Sequence, residues 1–126
     1  MYNILYVEDD ECMSEITLER LKHPLLNITH VTYANDGYRN LRTTKYDMIL
    51  TDNLTLPHGT GTQMINRFLF APERCITDVN VPIAIITSDI DLAKTSLDKT
   101  DGISFFGKID GGIVDWVFEK LNIVKM

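Results

Sequence analysis

Residues able to do chemistry stand just past short apolar runs in this sequence. Glu8-Asp9-Asp10-Glu11 follows Ile4-Leu5-Tyr6-Val7, and Asp52-Asn53 follows Met48-Ile49-Leu50-Thr51. Thr87 and Ser88 follow the run from Ile83 to Ile86, and Gly107-Lys108 follows Ile103 to Phe106. Carboxylates brought this close repel one another unless a cation lies among them. An oxygen-only set suits magnesium, which keeps several waters and is usually shared with a phosphate. Thr87 or Ser88 can donate to a phosphoryl oxygen, and Lys108 adds the positive point charge that phosphate binding favours. A carboxylate, a magnesium site, a hydroxyl and a lysine together suit phosphoryl transfer, with the carboxylate as nucleophile.

That chemistry needs a scaffold that gathers distant segments. Ile4 to Val7 reads as a strand buried on both faces. Glu11 to about Lys22 reads as a helix stopped near Pro24, with Asp10 and Glu11 favouring its N-terminus. Ile28 to Ala34 is a second strand, rich in β-branched and aromatic residues. Asn35-Asp36-Gly37 opens a short helix ending near Lys45. Met48 to Thr51 is the third strand, and 52–61 a loop carrying Pro57, Gly59 and Gly61. Met64, Ile65, Phe68 and Leu69 recur at helical spacing. Residues 71–82 read as a polar surface loop. Ile83 to Thr87 is the fourth strand, Ile90, Ala93 and Leu97 mark the fourth helix, and Asp101-Gly102 is a turn. Ile103 to Phe106 is the fifth strand, and Ile113, Val114, Val117, Phe118 and Leu121 mark the last helix.

This alternation is (βα)5. It predicts an α/β fold with right-handed crossovers, a doubly wound five-stranded parallel sheet in the flavodoxin-like order 2-1-3-4-5. Ligands of such sheets lie beyond the carboxyl ends of the strands at the topological switch point, so Glu8, Asp9, Asp10, Asp52, Asn53, Thr87, Ser88, Gly107 and Lys108 are expected to meet there.

Composition narrows the function. The chain has 126 residues, 44% hydrophobic and 24% charged, which fits a single ordinary domain over 1–126. The net charge is −6, and no basic stripe offers a face for nucleic acid. The longest uninterrupted apolar runs are far shorter than the about 20 residues of a membrane span, and the start lacks a signal-peptide pattern. A cytoplasmic protein with no membrane and no direct nucleic-acid partner is expected. Cys12 and Cys75 make no disulfide framework, and no Cys/His cluster has zinc spacing. His23, His30 and His58 show no catalytic or metal pattern. Tyr38 and Trp116 read as flanking helix packing faces. Gly59 and Gly61 shape a loop and form no phosphate cradle.

End to end, the chain resembles a receiver domain of the two-component response-regulator family, in its single-domain, CheY-like form. The matching segments are Ile-Leu-Tyr-Val-Glu-Asp-Asp at 4–10, Tyr-Asp-Met-Ile-Leu-Thr-Asp at 46–52, Leu-Pro with downstream glycines at 56–61, Ile-Ile-Thr-Ser at 85–88 and Phe-Phe-Gly-Lys at 105–108. The resemblance implies that Asp52 is the phosphoacceptor and Asp9 a direct metal ligand, with Glu8 acting through water. It implies that Thr87 is the switch hydroxyl, Phe105 the switch aromatic and Lys108 the partner of the phosphoryl group. Magnesium is then expected on Asp9, Asp52 and the backbone carbonyl of Leu54. A sensor histidine kinase or phosphotransfer protein is the implied donor. A downstream protein target is the implied output, since the 126 residues leave no room for an effector domain. On this reading the chain is a signalling module and not an enzyme.

Two departures from the family pattern bear on that reading. The family's loop proline usually stands four residues after the acceptor, and here Pro57 is five after Asp52 and four after Asn53. Counting back from Pro57 puts Asn53 in the acceptor position, where an amide could not be phosphorylated. Counting forward from Tyr46-Asp47 puts Asp52 there. Asp52 with a one-residue loop insertion is the preferred register, because a slip in a buried strand would turn every side chain to the wrong face. Ile109 stands where the family commonly has a proline after the lysine, and a trans bond is expected before it. These departures motivate an alternative: a degenerate receiver that binds a protein partner without phosphorylation. A magnesium-dependent phosphatase with an aspartyl nucleophile is a third reading. Leu54 counts against it, occupying the place of that class's second acid.

Overall fold

The computed structural model describes residues 1–53, 60–108 and 112–124. Five strands, β1 (Tyr2–Val7), β2 (Leu26–Val31), β3 (Met48–Asp52), β4 (Ile83–Thr87) and β5 (Ile103–Gly107), alternate with five helices. The helices are α1 (Glu11–Arg20), α2 (Ala34–Thr43), α3 (Gly61–Phe70), α4 (Ile90–Ser96) and α5 (Gly112–Lys120). The strands form one parallel sheet in the order β2-β1-β3-β4-β5, as the alternation predicts. Chain direction reverses its lateral progress between β1 and β3, so a crevice opens at their carboxyl ends.

The period of two divides the strand side chains between two cores. Ile4, Tyr6, Met48, Leu50, Ala84 and Ile86 pack with Ile113, Val117 and Phe118 of α5 and with Leu21, just past α1. Leu5, Val7, Ile49, Ile83 and Ile85 pack on the other face with Ala34, Tyr38 and Leu41 of α2, Met64, Ile65 and Phe68 of α3, and Ala93 of α4. The three inner strands are buried on both faces, which is why they read as continuous apolar runs.

Three helices start on side-chain caps at the sheet's carboxyl edge or close to it. Asp10 accepts from the Met13 N–H at 3.0 Å to start α1, as its position after the first strand suggests. Thr60 and Gln63 close a capping box on α3, and Asp89 caps α4. Gly37 lies in α2 close against Val7 and the Met64 sulfur, where an added Cβ would come within 3 Å of both.

Several boundaries differ from those the sequence suggests. β2 ends at Val31, and Ala34 starts α2 because that helix buries Ala34 against the core. Asp52 is the last residue of β3, paired with Ile86, and not the first of the loop. The stretch 71–82 contains a 3-10 turn at Pro72–Arg74. Within that stretch, the buried Thr77 donates to the Thr44 carbonyl and accepts from the Tyr46 N–H, anchoring it to the segment before β3.

Candidate functional site

Strand periodicity selects which end-of-strand residues share a face. Glu8 continues the series Ile4, Tyr6; Asp52 continues Met48, Leu50; and Lys108 continues Ser104, Phe106. The side chains of Glu8, Asp9 and Asp52 offer oxygens all within 4.8 Å of one another. Lys108 Nζ donates to Asp52 Oδ2 at 3.1 Å and stands 3.9 Å from Glu8 Oε2. These four residues come from the ends of β1, β3 and β5, so the fold gathers groups up to a hundred residues apart. Asn53 has the opposite parity, and its backbone is held on both sides: its N–H donates to Ile86 O at 3.3 Å and its carbonyl accepts from Gly61 N at 2.8 Å.

Two of the three acids are shielded from solvent at this edge. Glu8 and Asp52 are each 1% exposed, while Asp9 remains exposed. The start of α3 closes on the backbone of this strand end: Gly61 lies so close to the Asp52 carbonyl that an added Cβ would sit 2.0 Å from it. Burial, reinforced by a hydrogen bond to and the charge of Asp52, pushes the Glu8 carboxyl up to about 8, although Lys108 pulls it down. Burial by itself would lower Lys108, but the charges of Asp52 and Glu8 outweigh it and hold the ammonium above its ordinary value. The cluster is therefore short of positive charge. Its donors are all oxygen, and Glu8 Oε1 is buried without a hydrogen-bond partner. Both features fit a hard divalent cation such as magnesium, held by Asp9 and Asp52 with Glu8 beside it.

Thr87 and Phe105 lie on the other parity. Thr87 is 2% exposed, pairs with Gly107 across β4 and β5, and its hydroxyl accepts from the Asp89 N–H at 3.1 Å. Thr87, Ser88, Asp10, Gly107 and Lys108 line a groove of about 720 Å³ beside the acids. Phe105 is half-buried against the core shared with α4, and the Lys94 ammonium stands 5.4 Å from its ring centroid. The structure thus brings Glu8, Asp9, Asp52 and Lys108 together, with Thr87 on the adjoining groove and Phe105 one layer away under α4. Leu54, Pro57, His58, Gly59 and Ile109 lie outside the described residues, so the Leu54 carbonyl and the Ile109 peptide bond have no place in this geometry.

Some residues at the site carried no signal in the sequence. His30 of β2 places Nε2 2.9 Å from the Glu8 carbonyl oxygen. Tyr6, read only as a buried strand residue, is stacked near His30 with centroids 5.3 Å apart, and its hydroxyl lies buried under Glu8's face of the sheet. The one available hint was Tyr6 itself, a polar-tipped side chain inside an otherwise apolar run two residues before Glu8.

No family model and no curated protein sequence matches the chain. Solved structures do. A CheY-like response regulator receiver domain protein from Methanospirillum hungatei matches with a TM-score of 0.76 and 18% identity, over 97% of this chain and 94% of that one. The signal receiver domain of a signal transduction histidine kinase from Syntrophus aciditrophicus matches at 0.75 and 22%, over 97% and 91%. The response regulator protein TrrA from Thermotoga maritima, solved in complex with Mg2+–BeF, matches at 0.71 and 18%, over 97% of both chains. The shared feature is the fold: this chain has the flavodoxin-like architecture of CheY-like receiver domains throughout its described length.

Proposed function

We propose that the chain is a phosphoacceptor receiver of a two-component phosphorelay, with Asp52 as the acceptor. The observation that carries this reading is the convergence of Glu8, Asp9 and Asp52 with Lys108 at the switch point of a receiver-type sheet. An Asp52 carboxylate oxygen attacks the phosphorus of a phosphohistidine. The new O–P bond forms as the P–N bond breaks, and the imidazole leaves with the electron pair. On this reading Lys108, already on Asp52 Oδ2, pairs with a phosphoryl oxygen. Thr87 exchanges its Asp89 contact for a hydrogen bond to the phosphoryl group. Asp9 and Asp52 would hold magnesium with Glu8 acting through water, and the ion supplies charge neutralisation for the transferring group.

The donor on this reading is a sensor histidine kinase or a phosphotransfer protein. Output is contact with a downstream protein through α4, β5 and α5, where Thr87 and Phe105 lie, as a shift between pre-existing conformations. A cytoplasmic setting is part of the proposal; among the described residues no helix is long and apolar enough to cross a membrane. The test is incubation with acetyl phosphate and magnesium, followed by intact-mass measurement. One added phosphoryl group that disappears in Asp52→Asn supports the reading, and labelling that survives in that variant overturns it. The spacing of Pro57, together with Ile109, favours the second reading, a degenerate receiver that engages its partner unphosphorylated. Failure of the wild type to label with any donor, a cognate kinase included, would select it.

A further inference from the structure

The chain is acidic, with a net charge of −6, yet its arginines are not spread evenly. Arg39, Asn40, Arg42 and Thr43, from the second half of α2, and Arg74, from the 3-10 turn, line a groove of about 330 Å³. Among the described residues no carboxylate lines it. The last turn of α2 leads into β3, so the groove lies toward the amino end of the sheet, away from the acids past its carboxyl end. Its two walls are tied together. The buried Thr77 donates its N–H to the Leu41 carbonyl at 3.1 Å and its hydroxyl to the Thr44 carbonyl, which fixes the stretch carrying Arg74 against α2. The smaller polar groups of the groove are spent internally. Asn40 donates to the Asp36 carbonyl at 2.8 Å and accepts from the Tyr46 hydroxyl at 2.9 Å, and Thr43 donates to the Arg39 carbonyl at 3.0 Å. The guanidinium groups are not spent in this way. Arg39 reaches Asp36 at 3.1 Å in an exposed pair, and neither Arg42 nor Arg74 has an ion pair among the described residues.

Three guanidinium forks on a fixed frame match oxyanions, and the backbone decides which kind. A compact phosphate draws on a cradle of free N–H groups. Here the Thr44 N–H goes to Asn40 O at 2.9 Å, that of Arg74 to Ala71 O at 3.1 Å and that of Cys75 to Pro72 O at 3.0 Å. The groove therefore offers separate side-chain forks along its length, which suit carboxylates spaced along a peptide. Nucleic acid would need a longer basic face than three arginines on an acidic chain. We propose that this groove docks an acidic, Asp- and Glu-rich segment of a protein partner. The negative charge elsewhere on the chain repels such a segment, so the arginines set where it lands and in which orientation. The inference does not rest on the receiver reading.

Fluorescence anisotropy of a labelled hexaglutamate peptide, titrated with the full chain at low salt, tests this. Wild type is expected to bind, with an affinity that falls as salt is raised. Arg42→Gln and Arg74→Gln should each weaken binding about 3-fold, and the double variant about 10-fold, as for exposed ion pairs. Lys120→Gln removes the same charge from the exposed end of α5 and should leave the affinity unchanged. Amide shifts on adding the peptide should cluster at residues 39–43 and around Arg74 and spare Asp52. Wild type without detectable binding, a double variant that binds like wild type, or Lys120→Gln that weakens binding as much as Arg42→Gln would overturn the proposal. So would pyrophosphate or a single-stranded oligonucleotide that binds more tightly than hexaglutamate in competition, since the groove would then serve phosphates or nucleic acid. If Arg42→Gln does not fold, Arg74→Gln decides by the same criterion. Acetyl-phosphate labelling should be the same in all these variants, and its absence from wild type would overturn the receiver reading while leaving this inference in place.

Discussion

Replacing Glu8 by glutamine should remove a specific pH dependence from the stability of the metal-free protein. Burial beside Asp52 raises the folded-state Glu8 carboxyl from 4.5 to about 8. The folded state therefore keeps a proton that the unfolded chain releases, and every pH unit between those values costs stability. The sign follows from linkage: stability falls with pH wherever the native state binds more protons. The contribution is fully present below about 4.5, is lost as pH rises toward 8, and changes no further above that. One retained proton corresponds to about 1.4 kcal/mol per pH unit. Between pH 5.5 and 7.5 roughly 2 kcal/mol should be lost. For a chain of this length that is about 6–10 °C in Tm. Thermal melts in EDTA at half-unit pH steps would measure wild type and Glu8→Gln in parallel. The difference between the two curves should rise steadily in favour of the variant across this window. Adding magnesium should flatten the wild-type slope, because the ion displaces the proton. Curves that stay parallel from pH 5.5 to 7.5 would refute the argument, since they would mean that Glu8 is already ionised in the apo fold.

Asp52→Asn should be neutral or stabilising in a denaturant melt near pH 8, because it relieves carboxylate crowding; a loss above about 1 kcal/mol would identify Asp52 as a structural acid. Lys108→Met should destabilise by about 1–3 kcal/mol at pH 8, leaving two buried acids without their cation, and by less at pH 5.5, where Glu8 is protonated. It should also slow acetyl-phosphate labelling while the circular dichroism spectrum stays that of a folded α/β protein. Gly61→Ala should cost about 2–4 kcal/mol by chemical denaturation, since its Cβ would meet the Asp52 carbonyl at 2.0 Å and backbone atoms have nowhere to go. Magnesium at 100 times its Kd should raise wild-type stability by about 2.7 kcal/mol, and Asp9→Asn should forfeit most of that gain at the same concentration.

How far the sequence could be read depended on the range of the interaction. Runs such as Ile4–Val7 and Ile83–Ile86 carry the mark of burial on both faces in their own composition, and alternation with helical segments leaves few topologies. Strand order then brings Glu8, Asp52 and Lys108 to one edge without any knowledge of side-chain contacts. Burial of the acids was another matter. It depends on contacts between segments far apart in the chain, such as Lys108 against Asp52 and Glu8, which leave no periodic trace. Tyr6 was invisible for a related reason: a phenol in an apolar run looks like core. A local signal did better at the start of α1, where Asp10 caps within three residues of itself.

The division of the strand side chains between two cores makes the sheet an insulator. Tyr6, Met48 and Leu50 share no packing cluster with Leu5, Val7 and Ile49, although the two sets alternate along the same strands. Substitutions on opposite sides should combine additively in double-mutant cycles, whereas pairs on one side should not. If Asp52 is the phosphoacceptor proposed above, its state has little route through the middle of such a partition and would pass over the rim, where Thr87 and Gly107 sit side by side and the side chains of Asp52 and Thr87 belong to different halves. Two thin layers of amino acids can then drift independently under selection, one serving the acid cluster and the other the surface that α4 presents, and still be read as a single device.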